Sequence, residues 1–293
     1  MELRHLRYFV AVAEELNFSR AAEQLHIAQP ALSNQIKALE TELGVQLLER
    51  TRRTARLTEA GKSLLEDARH LLESAQMAEM RAKKAEKGET GTLRIGYVLT
   101  AANARLASVI KAFRRIYPGV ELDFAQMPTG VQIAALKERR LDVGFLRPPV
   151  AAAELATELI AEERMVLAVS SEDSLARKKK IVWQDLSGKT IIMVHPNTAN
   201  TFYDRFLALC RKHQVAVQIG SHSQDIHSNL WLVSTGFGVT PTTESARESA
   251  STALRFCDLP SDSPKIQTLL AWRRDNSSRV LANFLQTVRS VAP

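Results

Sequence analysis

FSRAAEQLHIAQPALSNQIKALETEL, residues 18–43, holds two short helical patterns separated by a turn of only a few residues. Ser19 has the chemistry of a helix N-cap, and Ala21, Ala22 and Leu25 follow on one side, which predicts a first short helix. Beyond His26 and Ile27 the chain reaches Gln29 and Pro30. Proline is tolerated in the first turn of a helix, where its missing N–H would have no partner anyway, so a second helix is expected to begin near residue 29. Leu32, Ile36, Leu39 and Leu43 recur at helical spacing and predict a core-facing stripe, leaving Gln29, Ser33 and Lys37 toward solvent. An amide, a hydroxyl and a cation suit base edges and phosphate oxygens in a major groove that admits one helix. Leu6, Phe9, Val10 and Ala13 give a supporting amphipathic helix upstream. Spacing alone leaves a second reading open, a small helical bundle whose polar face merely stays wet.

On the C-terminal side, four arginines fall between positions 50 and 56, in a short hairpin-like run that ends at Leu57-Thr58. Guanidinium forks suit phosphates and a narrow minor groove, although a charge run standing alone is commonly only a solvated face. Beside two closely spaced helices the run reads as a wing. Thr58 can cap the helix that follows, which continues without proline to about Lys87. Along it Leu64, Ala68, Leu71, Ala75, Ala78, Ala82 and Ala85 form a heptad seam, thickened by Leu65 and Leu72. A helix of about 29 residues, roughly 43 Å long, needs something to cover so one-sided a seam. A second copy is the simplest cover; the helix's own C-terminal domain is the alternative.

The opening MELRHLRYFVAVAEELNFSRAAEQL, then AQPALSNQIKALETELGVQLLER and RLTEAG, closely resembles the LysR-type transcriptional regulators of bacteria, over essentially the whole chain and without a gap in about the first 65 residues. Ala28 stands where the commonest family form has Ser or Thr, and "AQP" resembles the branch that controls aromatic-compound catabolism. The resemblance implies a winged helix-turn-helix over 1–58, in which Ser19, Gln29, Pro30, Ser33 and Lys37 meet DNA. Arg52 and Arg53 at the wing tip would grip the backbone or minor groove, and Arg50 would anchor the fold or a phosphate. It also implies a linker helix over 59–87, pairing antiparallel in a homodimer that assembles further to a homotetramer, with double-stranded promoter DNA and RNA polymerase as partners.

After the polar hinge 87–91, strand-like and helix-like runs alternate. Strands are expected at 92–98, 120–124 and 141–146, with helices at 105–117 and 131–140; the pattern repeats with strands at 164–170, 190–194 and 215–220 and helices at about 201–213 and 226–235. Val239, 254–259 and 266–272 supply further strand material before a closing helix at about 277–290. Such alternation specifies a parallel sheet wrapped by helices, here in two α/β lobes (about 92–162 with 266–293, and 163–265) that leave a cleft between them. In such sheets ligands sit beyond the carboxyl ends of strands, where helix N-termini offer N–H groups to an anion. This resembles the periplasmic-binding-protein-like sensor domain (88–293) of the same family. Thr100 and Thr129 follow two strands and match positions where aromatic-acid-responsive members hold the effector carboxylate. Asn200, Thr201 and Phe202 open a helix in the second lobe; Phe202 matches an aromatic lining the cleft, whereas Asn200 and Thr201 replace a Pro-Asn pair. From the residues alone the threonines could be simple N-caps, Phe202 could be core, and Arg147 could meet an anion or make a domain salt bridge.

The formal charge is +7, yet residues 1–91 hold 14 basic and 14 acidic residues, so the excess of 25 over 18 lies in 92–293. Net charge therefore does not mark the DNA-binding part; local placement does. No leader pattern and no apolar run near 18 residues appears, so a cytoplasmic protein with no membrane partner is expected. Cys210 and Cys257 lack a CxxC pattern and are expected to be reduced, and His222 and His227 lack further ligands for a metal. Gly236-Phe237-Gly238 lacks the remaining spacing of a nucleotide loop. No catalytic constellation or cofactor is indicated, and the expectation is a DNA-binding regulator responsive to a small organic acid, not an enzyme. The alternative class is a small-molecule-binding protein or enzyme whose N-terminal region serves only for assembly.

Overall fold

A computed structural model describes the chain except at 51–54, 102, 179, 224, 250 and 292–293, and the side chains at 50, 196–201, 222 and 249 also lie outside the description. The chain divides into two compact units, Met1–Lys84 and Ala85–Pro293.

In the first unit three helices, α1 (Leu3–Glu15), α2 (Phe18–Gln24) and α3 (Gln29–Leu43), pack around Leu6, Phe9, Val12, Leu32, Ile36 and Leu39. A two-stranded hairpin, β1 (Leu48–Arg50) and β2 (Ala55–Leu57), follows in antiparallel register, with Glu49 opposite Arg56. The core stripe of α3 ends at Leu39, because Leu43 is the last helical residue and is 37 % exposed beside the left-handed Gly44. The expected cap at Ser19 is corrected. Helix α2 starts two residues earlier than such a cap requires, with Phe18 packed on the core, so the cap position falls on Asn17, whose Oδ1 accepts from the N–H groups of Ser19 (2.9 Å) and Arg20 (3.2 Å).

Thr58 does cap the long helix α4 (Glu59–Glu86): its Oγ1 accepts from the N–H of Gly61 at 2.9 Å. Ala68 is buried against the three-helix core, and Leu64, Leu65 and Leu72 pack partly on it. The front of the expected seam is thus used within the head itself, Leu65 and Leu72 included. Beyond it Leu71, Met77 and Met80 are exposed, as are Ala78, Ala82 and Ala85.

The second unit holds β3 (Thr90–Tyr97), α5 (Ala104–Ile116), β4 (Gly119–Gln126), α6 (Thr129–Lys137) and β5 (Val143–Leu146), then a 16-residue strand β6 (Leu155–Ser170). There follow β7 (Thr190–Val194), α7 (Pro196–Lys212), β8 (Gln218–Ser223), α8 (Ile226–Ser234), β9 (Thr240–Thr243), β10 (Leu254–Asp258), β11 (Lys265–Arg273) and α9 (Arg279–Ser290). Strand β3 is parallel to β4 and β5, but β11 runs antiparallel to both β5 and β6. The sheet is therefore mixed, not parallel throughout, because β6 and β11 pass between lobes as direct strands without crossover helices. Residues 155–164 of β6 pair with β11, and 165–170 pair with β9 and β10. One strand thus serves two lobes, each with its own core: Phe113, Phe145 and Phe284 meet edge to face in the first, while Met165, Trp183 and Phe206 fill the second.

Gly96 and Gly144 on neighbouring strands admit the fully buried Gln132 of α6; a Cβ would stand 2.9 and 2.6 Å from its Oε1. In the second lobe Asp262 accepts from Trp183 Nε1 (2.9 Å), His213 Nε2 (2.6 Å) and Lys212 Nζ (3.2 Å), with the His213 ring stacked on Trp183. Those donors, Trp183 first, hold its carboxyl well below the usual range. A depressed carboxylate pKa stabilises the fold above the unfolded value of about 3.9 and loses that contribution as pH falls. Asp262→Asn is therefore expected to lower the Tm at pH 7, with the gap from wild type closing below about pH 4 in melts across pH; a gap independent of pH would rule out the ionic origin.

Candidate functional site

Helix α3 is set rigidly on the head. Glu40 Oε1 accepts from the N–H groups of Leu47 (2.9 Å) and Leu48 (3.1 Å), fixing the turn into the hairpin, and His5 Nε2 and Gln35 Oε1 join α1 to α3 at 3.0 Å. Sequence periodicity carries no sign of Glu40's role, because an acid at that place reads as surface charge. With Leu32 and Ile36 buried, Gln29, Pro30 and Lys37 are exposed and Ser33 is half-buried, so the expected polar face exists as a surface. Ser19 is exposed near the start of α2. Arg52 and Arg53 lie outside the described residues, and of Arg50 only the backbone, in β1, is described. Arg56 on β2 is exposed. An exposed helix face can enter a major groove, with the strand pair after it toward the backbone.

The second unit brings three of its expected residues together. Strands β3, β4 and β5 are parallel and end at Tyr97, Gln126 and Leu146; just past these ends stand Thr100, Thr129 and Arg147. The Arg147 Nε donates to Thr100 Oγ1 (3.4 Å) and Nη2 to the Thr100 carbonyl (2.9 Å). Nη1 donates to the Gln267 carbonyl (3.1 Å) and the Thr268 hydroxyl (2.6 Å), and the Arg147 backbone N–H to Thr129 Oγ1 (3.1 Å). Burial draws the Arg147 pKa down to about 10, opposed by the field of Glu163, so the group is charged at neutral pH. All its acceptors in this cage are neutral oxygens, so Glu163 meets the positive charge only through space and not by a direct bond.

Neither threonine is an N-cap. Asn103 caps α5, accepting from the Leu106 N–H at 3.2 Å, and α6 follows Pro128 with no side-chain cap. Because each threonine hydroxyl already accepts from Arg147, its own hydrogen is free to turn elsewhere. Two hydroxyl donors, the uncapped start of a helix and a guanidinium bonded by neutral oxygens make a local environment for an anion.

In the second lobe the expectations fare differently. Helix α7 begins at Pro196, directly after β7, so Asn200 and Thr201 do not open it, and their side chains lie outside the description. A proline at the first helical position is preorganised to start the helix there. Phe202 packs, partly buried, against the core of the lobe. Glu163 carries no local pattern that marks it. It sits where β6 changes partners, and its carboxylate accepts from Asn103 Nδ2 of one lobe and Ser245 Oγ of the other, both at 2.7 Å. Cys210 and Cys257 are free and buried; burial pushes both thiols up, Cys210 to about 11. Neither is a thiolate at neutral pH. Among the described residues no group of three or more His, Cys, Asp or Glu is placed to hold a metal ion.

Residues 3–62 match the model of the bacterial regulatory helix-turn-helix protein, lysR family, and residues 86–293 match the LysR substrate binding domain. The chain is 33 % identical to the HTH-type transcriptional regulator AlsR of Bacillus subtilis, over 97 % of this chain and 94 % of the relative. It is 34 % identical to the regulator TfdS of Cupriavidus pinatubonensis, over 99 % and 98 %. The crystal structure of CbnR, a LysR family transcriptional regulator, superposes with a TM-score of 0.90 at 30 % identity, covering 99 % of this chain and 100 % of that one. Full-length CbnR complexed with its target DNA gives 0.88 at 30 % identity, with 100 % of both chains covered.

The cage also has a structural consequence. Arg147→Met removes the charged donors from oxygens of Thr100, Gln267 and Thr268, and is expected to cost about 2–3 kcal/mol in urea denaturation of the full chain. Arg147→Lys should fall between the two, since an ammonium cannot reproduce the planar fork. An unchanged denaturation midpoint for the methionine variant would show that the guanidinium holds nothing together.

Proposed function

Because this chain belongs to the LysR family of bacterial transcriptional regulators, we propose that its two-lobed unit senses a small organic acid, held by carboxylate at Thr100 and Thr129 beside Arg147. The chain is a sequence-specific DNA-binding regulator and not an enzyme. The observation that carries the effector reading is the Arg147 cage: a half-buried cation bonded by neutral oxygens, with two hydroxyls turned into available donors at the ends of parallel strands. An aromatic or dicarboxylic acid fits this environment better than a neutral ligand, whose binding would bring no opposite charge.

On this reading Gln29, Ser33 and Lys37 face the major groove, with Pro30 shaping the helix start and Ser19 at a phosphate; Arg50, Arg52 and Arg53 serve the wing. The exposed stretch of α4 from Leu71 to Ala85 is covered by a second copy, giving a homodimer with two reading heads, and dimers pair into a tetramer. Assembly on a promoter brings RNA polymerase within reach, in the cytoplasm. No described helix is long and apolar enough to cross a membrane. Effector binding favours one lobe arrangement over another, as it must if it is to shift any equilibrium. Glu163 is suited to transmit the change: it feels the charge of Arg147 and bonds to both lobes at once.

Two measurements test the reading. Gln29→Ala should lose roughly 1–3 kcal/mol of discrimination for a specific operator over random duplex in competition gel shifts; equal discrimination would remove Gln29 from base reading. Thr100→Val with Thr129→Val should abolish the thermal shift that organic acids produce in wild-type protein while leaving operator affinity unchanged, and a retained shift would place the acid elsewhere.

A further inference from the structure

We propose that Thr242 is a second polar contact of the effector, so that the cleft selects an acid bearing a further hydrogen-bonding group at the end remote from its carboxylate. The inference rests on the reading that the acid is anchored at Thr100 and Thr129. Thr242 is 2 % exposed, and its Oγ1 has no hydrogen-bond partner among the described residues. A buried unpaired hydroxyl costs free energy that a valine of nearly the same shape would avoid.

Register places it. Strand β9 pairs with β6 immediately beyond the partner switch, with Thr243 opposite Met165, Thr242 opposite Val166 and Thr240 opposite Ala168, so Thr242 lies at the end of β9 nearest the first lobe. Thr242 and Thr240 share the face of Ala168, which packs with Ile226 and Leu230 of α8. Leu99 of the first lobe packs partly buried on that same cluster, and Leu99 is the neighbour of Thr100. The unpaired hydroxyl therefore faces the layer against which the effector-binding turn is set.

The same layer contains three other polar side chains. Ser223 Oγ donates to Asn229 Oδ1 (2.6 Å), and Asn229 Nδ2 donates to Thr240 Oγ1 (3.3 Å); Asn229 and Thr240 are both buried. Those three satisfy one another, and Thr242 is left over. A polar group without a structural task, on the face where Leu99 brings the Thr100 turn, is explained by a ligand atom. With the carboxylate fixed on the first lobe, Thr242 would meet the far end of the molecule, drawing the lobes together through one ligand.

The full-length protein tests this by calorimetry and thermal shift with benzoate and hexanoate as singly functional acids, and 4-hydroxybenzoate, terephthalate and adipate as doubly functional ones. Wild type is expected to prefer at least one doubly functional acid by about tenfold over its singly functional counterpart. Thr242→Val should erase that preference, leave the ligand-free Tm equal or higher, and keep the weaker binding of the single acid, while Thr242→Ser keeps the preference. Thr100→Val should weaken both kinds of acid alike. A preference that survives in Thr242→Val, with binding still lost in Thr100→Val, overturns the role of Thr242 and leaves the anchoring site standing. Binding untouched by Thr100→Val, or no binding of any of the five acids to wild type, overturns the anchoring reading and this inference with it.

Discussion

Strand β6 constrains everything that the second unit can do, because its first ten residues are bonded into one lobe and its last six into the other. A backbone ladder is stiff along the strand, so neither lobe can move without bending β6 near Arg164 or shearing β11 beside it. Polar groups gather at that place. Glu163 holds Asn103 and Ser245 from opposite lobes, and the Ala104 N–H reaches Glu248 Oε2 at 3.3 Å. Both carboxylates thus lie at the start of α5, where the helix dipole favours negative charge.

Arg147 is the counterpart of this arrangement. A guanidinium taken from water demands acceptors, and here they come from the turn at Thr100 and from Gln267 and Thr268 at the start of β11. The cage therefore ties the turn at Thr100 to a strand that begins at the hinge. Adding a carboxylate beside Arg147 would weaken the field that Glu163 experiences, and Glu163 is the side chain on which both lobes depend. Coupling by this route needs no long chain of displaced residues, only two charges on either side of one strand junction.

The legible and illegible parts of the chain divide by the range of the interactions that set them. Helices α1 to α3 follow from apolar spacing and Pro30, both local. The cap at Asn17 was misplaced by two residues because Phe18, rather than the serine after it, decides where α2 begins. The first half of β6, LATELIAEE, alternates apolar with acidic residues and half-exposed positions, so it lacks the continuous apolar run that marked the other strands. The meeting of Thr100, Thr129 and Arg147 was legible because parallel strands deliver their next residues to one edge of the sheet. Glu163, Ser245 and Thr242 were not, since their meaning depends on the pairing of β6 with strands about 80 to 100 residues further on, which no local pattern encodes.

The head presents the opposite problem, a surface meant for a polyanion in a unit with balanced charge. Balance is reached by placement: Glu40 is turned inward to two backbone N–H groups, Glu14 meets Arg69, and Glu15 meets Arg20. Lys37 and Arg56 are left exposed. Such a head gains less from bulk attraction than a strongly basic one would, because the salt-dependent part of affinity scales with the phosphates neutralised. Specific binding must then come from base contacts and from joining two heads. The half of α4 that its own head leaves uncovered, with Leu71, Met77 and Met80 in water, is the part of the unit where such joining would bury apolar surface at least cost.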